Sequence, residues 1–169
     1  MFDPDVAYAP ALWSSFLSAE VGASAALTGL LFVAVSINLS KIIEFPHLTP
    51  RAAKALTTLV GILFAVSFCL VPGQSREQLG WELIGTGVLA WAAITSMQYR
   101  FSRGNPYVGK VQKWFDRVLV QTAALPMVVC GVSLFCGRGG GLYWLVAGVV
   151  LSFVCALLDA WVLLIEIQR

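Results

Sequence analysis

One face of the first apolar stretch carries an acid, two hydroxyls and an amide in a fixed order. At about 100° per helical residue, Glu20, Ser24, Thr28, Leu31, Val35 and Asn38 fall on a single stripe. Repeated around a symmetry axis, that stripe makes a carboxylate ring, a narrow neck at Leu31 and Val35, and an amide ring. Those are the parts of a cation pathway. The same residues also have a plain structural reading. Serine and threonine hydroxyls bond carbonyls one turn back, and Asn38 bonds a neighbouring helix. A second stripe of small residues, Gly22, Ala25, Gly29, Ser36 and Ser40, lies about 160° away on the same helix and suits close helix packing.

Asp159 is the other residue whose place invites chemistry. It lies about two turns inside the last apolar stretch, where a carboxylate is kept paired or neutral. Lys54, Arg117 and the Gln121 amide fall at similar depth. A Lys54–Asp159 or Arg117–Asp159 pair would tie two helices together. Alternatively, Asp159, Gln121 and Asn38 would form an inner ion or proton site.

Enzyme chemistry has little support. The chain has one histidine, His47, at a proline-flanked turn that predicts a solvated imidazole. HExxH, GxSxG and P-loop patterns do not occur. Glu20 and Asp159 are expected near opposite bilayer faces, too far apart for an acid/base pair. We therefore expect no catalytic residue, no cofactor and no metal. The four cysteines, Cys69, Cys130, Cys136 and Cys155, form no metal pattern. They are expected as free thiols, although Cys69 and Cys136 fall at the same end of their spans.

The elements that must hold these residues are membrane helices. Of the 169 residues, 59% are hydrophobic and 12% charged, and mean hydropathy is +0.82. A soluble domain carries about twice that charge. The expected fold is an all-α polytopic transmembrane bundle forming a single domain. Five spans are predicted at 20–41, 50–71, 79–99, 117–136 and 141–167, after an interfacial segment 1–19 and around a basic loop 100–116. Barrel strands would alternate apolar and polar residues, and these stretches do not. Thr49 and Pro50 predict the cap and first position of the second helix. Ala53, Thr57, Gly61, Ala65 and Cys69, spaced by four, predict its packing face. Gly85, Gly87, Ala90, Ala93 and Thr95 do the same for the third. Pro126 predicts a kink in the fourth, and Gly137–Gly141 a short flexible turn into the fifth.

The basic residues are lopsided. Lys41, Arg51, Lys54, Arg100, Arg103, Lys110, Lys113, Arg117 and Arg169 gather on one side, leaving Arg76 and Arg138 on the other. Positive loops stay in the cytoplasm, which places the N-terminus outside and the C-terminus inside a bacterial inner membrane. The basic loops suit anionic lipid headgroups. Topology accounts for them without nucleic acid.

Gly29–Ser40 (GLLFVAVSINLS), Leu48–Leu56 (LTPRAAKAL) and Leu70–Gln74 (LVPGQ) resemble a group of small bacterial inner-membrane proteins, sometimes labelled modulators of the FtsH protease. The resemblance covers the first half of the chain and brings no functional residues with it. Two functions are expected from these readings. The first is a homo-oligomeric small-ion pathway, cationic in character, lined by the first span. The alternative is a non-conducting accessory or regulatory subunit of a larger membrane complex, with self-association or a membrane-protein partner. A transporter ranks below both, because no inverted repeat is visible.

Overall fold

The computed structural model describes residues 4–45, 48–104 and 110–167, and every regular element among them is helical. The elements are α1 (Pro4–Ala7), a 3-10 turn (Pro10–Trp13), α2 (Ser14–Ile37), α3 (Leu39–Glu44), α4 (Leu48–Cys69), α5 (Arg76–Gly104), α6 (Lys110–Cys136) and α7 (Tyr143–Ile167). Pro46 and His47 lie outside the described residues, as do 105–109 of the basic loop.

Among the described residues three stretches are long and apolar enough to cross a membrane: Pro10–Ile37, Leu48–Cys69 and Tyr143–Ile165. Five were expected. In α5, Trp81, Glu82 and a run of glycine and threonine dilute an otherwise sufficient length. In α6 the continuous apolar part is the shorter Gln121–Cys136.

Helix boundaries move where polar residues propagate the helix beyond its apolar window. The expected loop 100–116 contributes five residues to the end of α5 and seven to the start of α6. Arginine, lysine and glutamine are good helix formers. Ser14 starts α2 ahead of the expected residue 20. At Asn38 the dihedrals leave the helix, yet the ladder continues. The Asn38 amide donates to Ala34 O at 3.3 Å and the Ile42 amide to Asn38 O at 3.0 Å, so α3 follows α2 in register. Thr49 does not cap α4, which begins at Leu48. Its hydroxyl donates back to Ile42 O at 3.1 Å and staples α3 to α4.

Helices α4, α5, α6 and α7 pack in a ring, each against the next and α7 back on α4, while α2 packs chiefly on α4. The core runs down the ring through Ile62, Val66, Leu83, Leu134, Leu145 and Val149, all shielded from the surface. On α4 a Cβ on Gly61 would meet Ala90 at 3.4 Å. The α5–α6 crossing is tighter and adds Gly80 and Gly131 to the expected Gly87, whose Cβ would lie 2.9 Å from a Val128 side-chain carbon. A Cβ on Gly80 would sit 2.9 Å from Gly131 O, and one on Gly131 would sit 2.7 Å from Gly80 O. Gly85 faces open space. Pro126 lies inside α6, buried, and helix continues on both sides of it.

The turn between α6 and α7 is held rather than loose. Gly137 takes φ +66° and the Arg138 amide donates to Ser133 O at 3.2 Å, which closes α6 with a Schellman turn. The Ser133 hydroxyl then donates to Arg138 O at 2.6 Å and accepts from the Gly141 amide at 2.8 Å. From the other end of the chain, the Tyr8 hydroxyl accepts from the Gly140 amide at 3.1 Å, and Ala7 O accepts from the Leu142 amide at 2.9 Å. Trp13 stacks edge-on against Tyr143, with centroids 4.9 Å apart. The N-terminal segment is thereby fastened across this end of the bundle.

Candidate functional site

Lys54 and Asp159 form the centre of the bundle's buried polarity. Lys54 sits one and a half turns into α4, and Asp159 faces it from α7. The ammonium lies 3.1 Å from Oδ1 and 2.9 Å from Oδ2, and each residue is 7% exposed. Sequence depth alone had matched this pair. The Arg117 side chain, its rival, lies outside the described residues. Thr58, one turn above Lys54, is buried and donates to Lys54 O at 2.9 Å. Cys155, one turn from Asp159, points its thiol at Leu119 O, 3.6 Å away, and links α7 to α6.

Beside the pair is a cavity of about 30 Å³ between α4, α5, α6 and α7, reached by Lys54, Thr58, Ser152 and Cys155 on one side and walled by Gly87 and Met127 on the other. That volume suits a single water-sized molecule. A buried ammonium facing a carboxylate over both oxygens is charge-neutral as a unit. Such a unit pins two helices in one register, and breaking it leaves an unpaired charge in a dry place.

Gln121 is elsewhere. Its Oε1 accepts from the Trp91 indole at 3.0 Å on the exposed side of the α5–α6 seam. Asn38 donates to Ala34 O of its own helix at 2.9 Å. The structure therefore brings Asp159 to Lys54 and leaves Gln121 and Asn38 with other partners. Trp91 gave no signal in sequence beyond its type.

The stripe on the first helix turns toward the protein. Ser24 is fully buried and Leu31 is 8% exposed, while Glu20, Thr28, Val35 and Asn38 are half-buried. Its hydroxyls are satisfied locally: Ser24 donates to Val21 O at 3.1 Å and Thr28 to Ser24 O at 2.7 Å. Glu20 is different, because its Oε2 is shielded from solvent and has no hydrogen-bond partner. The small-residue stripe faces away from the bundle. Gly22, Ala25, Gly29, Ser36 and Ser40 are exposed, and nothing lies within 4 Å of a Cβ on either glycine. On α4, Ala53 and Thr57 are half-buried, and Gly61 and Ala65 are buried.

All four cysteines are free, with Cys136 exposed and Cys69, Cys130 and Cys155 buried. Among the described residues no three His, Cys, Asp or Glu side chains gather as metal ligands. At the capped end, Gln74 Nε2 donates to Glu82 Oε2 at 2.7 Å, beside an open cleft of about 290 Å³ bordered by Pro10, Pro72 and Arg76. No family model, no curated protein and no solved structure matches this chain.

Proposed function

We propose that this chain is a multi-pass protein of a bacterial inner membrane, crossed by all five long helices, and that it serves as a non-conducting subunit that steadies or tunes a larger membrane assembly. The basic residues on the Lys54 side put that side and the C-terminus in the cytoplasm and the N-terminal segment outside. The observation that carries the functional reading is the Lys54–Asp159 pair. It joins α4 to α7 at 2.9–3.1 Å, so the charge inside the bundle acts as a bolt.

The docking face in this reading is the free side of α2. Helices in lipid associate through close packing of small residues, and Gly22, Ala25 and Gly29 stand open there. A cysteine placed at Gly29 is expected to cross-link to a second membrane protein in stoichiometric amounts, while one placed at Ser24 is not. A homo-oligomer that passes ions in liposomes would overturn this reading.

One observation favours the other reading, a cation pathway in a homo-oligomer lined by the first helix. Glu20 Oε2 is shielded and unpartnered, as a carboxylate awaiting a cation would be. In that case liposomes take up K⁺ or Na⁺, and Glu20→Gln abolishes the uptake.

A further inference from the structure

The cavity between α4, α5, α6 and α7 has five polar side chains on its wall: Lys54, Thr58, Trp91, Ser152 and Cys155. Three of them have their protons committed elsewhere. The Trp91 indole donates to Gln121 Oε1 at 3.0 Å, the Cys155 thiol is turned to Leu119 O at 3.6 Å, and the Thr58 hydroxyl donates to Lys54 O at 2.9 Å. Thr58 therefore offers the cavity lone pairs and no donor. Lys54 is the converse. An ammonium has three N–H groups and no acceptor, and the two oxygens of Asp159 are all that it meets among the described residues. At least one N–H is left over.

Ser152 is the third group with capacity to spare. It is 3% exposed, and among the described residues its hydroxyl makes no hydrogen bond. A serine or threonine inside a helix commonly gives its proton to the carbonyl one turn back, as Thr28, Thr57 and Thr58 do in this chain. Ser152 does not bond Gly148 O in that way. A buried hydroxyl left without a partner is costly, and the space that Ser152 borders is this cavity.

These three groups specify a ligand by what each lacks. The occupant must accept from Lys54 and donate to Thr58, while Ser152 can do either. An anion only accepts, and would face the lone pairs of Thr58. A metal cation only attracts lone pairs, and would face the ammonium. Water does both. The cavity, at about 30 Å³, has room for one, and three polar partners are what a buried water commonly takes.

We infer that this cavity is the binding site of one structural water, held by the Ser152 hydroxyl of α7 and by Thr58 Oγ1 and the Lys54 ammonium of α4. The water joins the same two helices as the Lys54–Asp159 pair, on the side of that pair nearer the α6–α7 turn. The site depends on how the four ring helices pack and not on which assembly the chain joins.

The test is a crystal structure of the full chain grown in a lipid mesophase, at a resolution that shows waters, with a second data set from crystals soaked in sodium bromide. The expected result is one water within hydrogen-bond distance of Ser152 Oγ, Thr58 Oγ1 and Lys54 Nζ, about 2.7–3.2 Å, and no anomalous bromide signal there. Ser152→Ala and Thr58→Val each remove a partner and should lower the water's occupancy. Ser152→Val puts two methyl groups into its space and should expel it. The rest of each variant's structure reports whether it folded. If a variant gives no crystals, the wild type alone still decides the matter in the infrared: exchange into heavy-oxygen water should shift a buried-water O–H stretching band, and no shifted band means no bound water. A cavity without water in the wild type, a bromide ion within it, a Ser152 hydroxyl turned to Gly148 O, or a water at full occupancy in both Ser152→Ala and Thr58→Val would each overturn the site.

Discussion

Removing one member of the Lys54–Asp159 pair should damage the fold far more than removing both. At 2.9 Å and an effective dielectric near 20, the two charges attract by about 6 kcal/mol. Stripping each of them of water costs several kcal/mol, so the intact pair contributes little net stability. Asp159→Leu alone leaves the ammonium in a site 7% exposed, and Lys54→Met alone takes the ammonium from the carboxylate. Each single change should cost about 3–5 kcal/mol. The double variant places two apolar side chains of similar volume against each other and should return to within about 1 kcal/mol of wild type. The assay is reversible unfolding in mixed micelles by increasing SDS, followed by far-ultraviolet dichroism, and read as a double-mutant cycle. If the two single costs simply add in the double variant, or if either single variant unfolds with the wild type, the pair is not coupled in the folded state and the argument fails.

Other positions give sharper yes-or-no outcomes. Gly131→Ala drives a methyl to 2.7 Å from both Gly80 O and an Ile84 side-chain carbon and should cost about 1–3 kcal/mol, whereas Gly85→Ala, with open space around it, should unfold at the wild-type SDS concentration. Ser133→Ala orphans the Gly141 amide and the Arg138 carbonyl at about 1–3 kcal/mol. Gly141→Ala meets the Ala7 carbonyl and a backbone at φ +50°. Both variants should expose the N-terminal segment to limited proteolysis while the α2–α7 dichroism persists. A membrane-impermeant maleimide applied from outside should label Cys136 and spare Cys69, Cys130 and Cys155 until SDS is added. Labelling only in inverted vesicles would reverse the orientation.

The parts of this molecule that were legible in sequence are those set by one helix at a time. Apolar length marks α2, α4 and α7, and depth along a helix put Lys54 level with Asp159. What was not legible depends on which face meets which neighbour. Gln121 looked like a partner for Asp159 by depth, but depth carries no azimuth, and α6 turns it to Trp91. Nothing in the sequence sets Gly80 and Gly131 apart from Gly85, since a glycine marks a crossing only when the opposing backbone is known. The glycine-rich turn read as flexible because its restraints come from far away. Tyr8 and Ser133 are separated by 125 positions in sequence, and no local pattern joins them.

The environment of α2 separates the remaining alternatives on physical grounds. Only 11% of its apolar window is buried, against 56% for α4. In water, a helix exposing Leu30, Phe32, Val33 and Ile37 would be driven onto another surface by burial of apolar area. In lipid that drive vanishes, since acyl tails are as apolar as leucine, and α2 is held by packing and hydrogen bonds alone. Its azimuth is then set by small terms. Rotating it by about 160° would free the Glu20 stripe for an oligomer axis and bring Gly22 and Gly29 onto α4, at the loss of the close fit of Leu17, Ser24 and Leu31, which are 0%, 0% and 8% exposed. The conducting arrangement needs that rotation or its equivalent in an assembly. The docking arrangement needs none, because the face it uses is already free. Hence a cross-link that holds Ser24→Cys to α4 without loss of function would speak for a subunit that docks through its small residues, and one that abolishes ion flux would speak for a pathway that opens by turning α2.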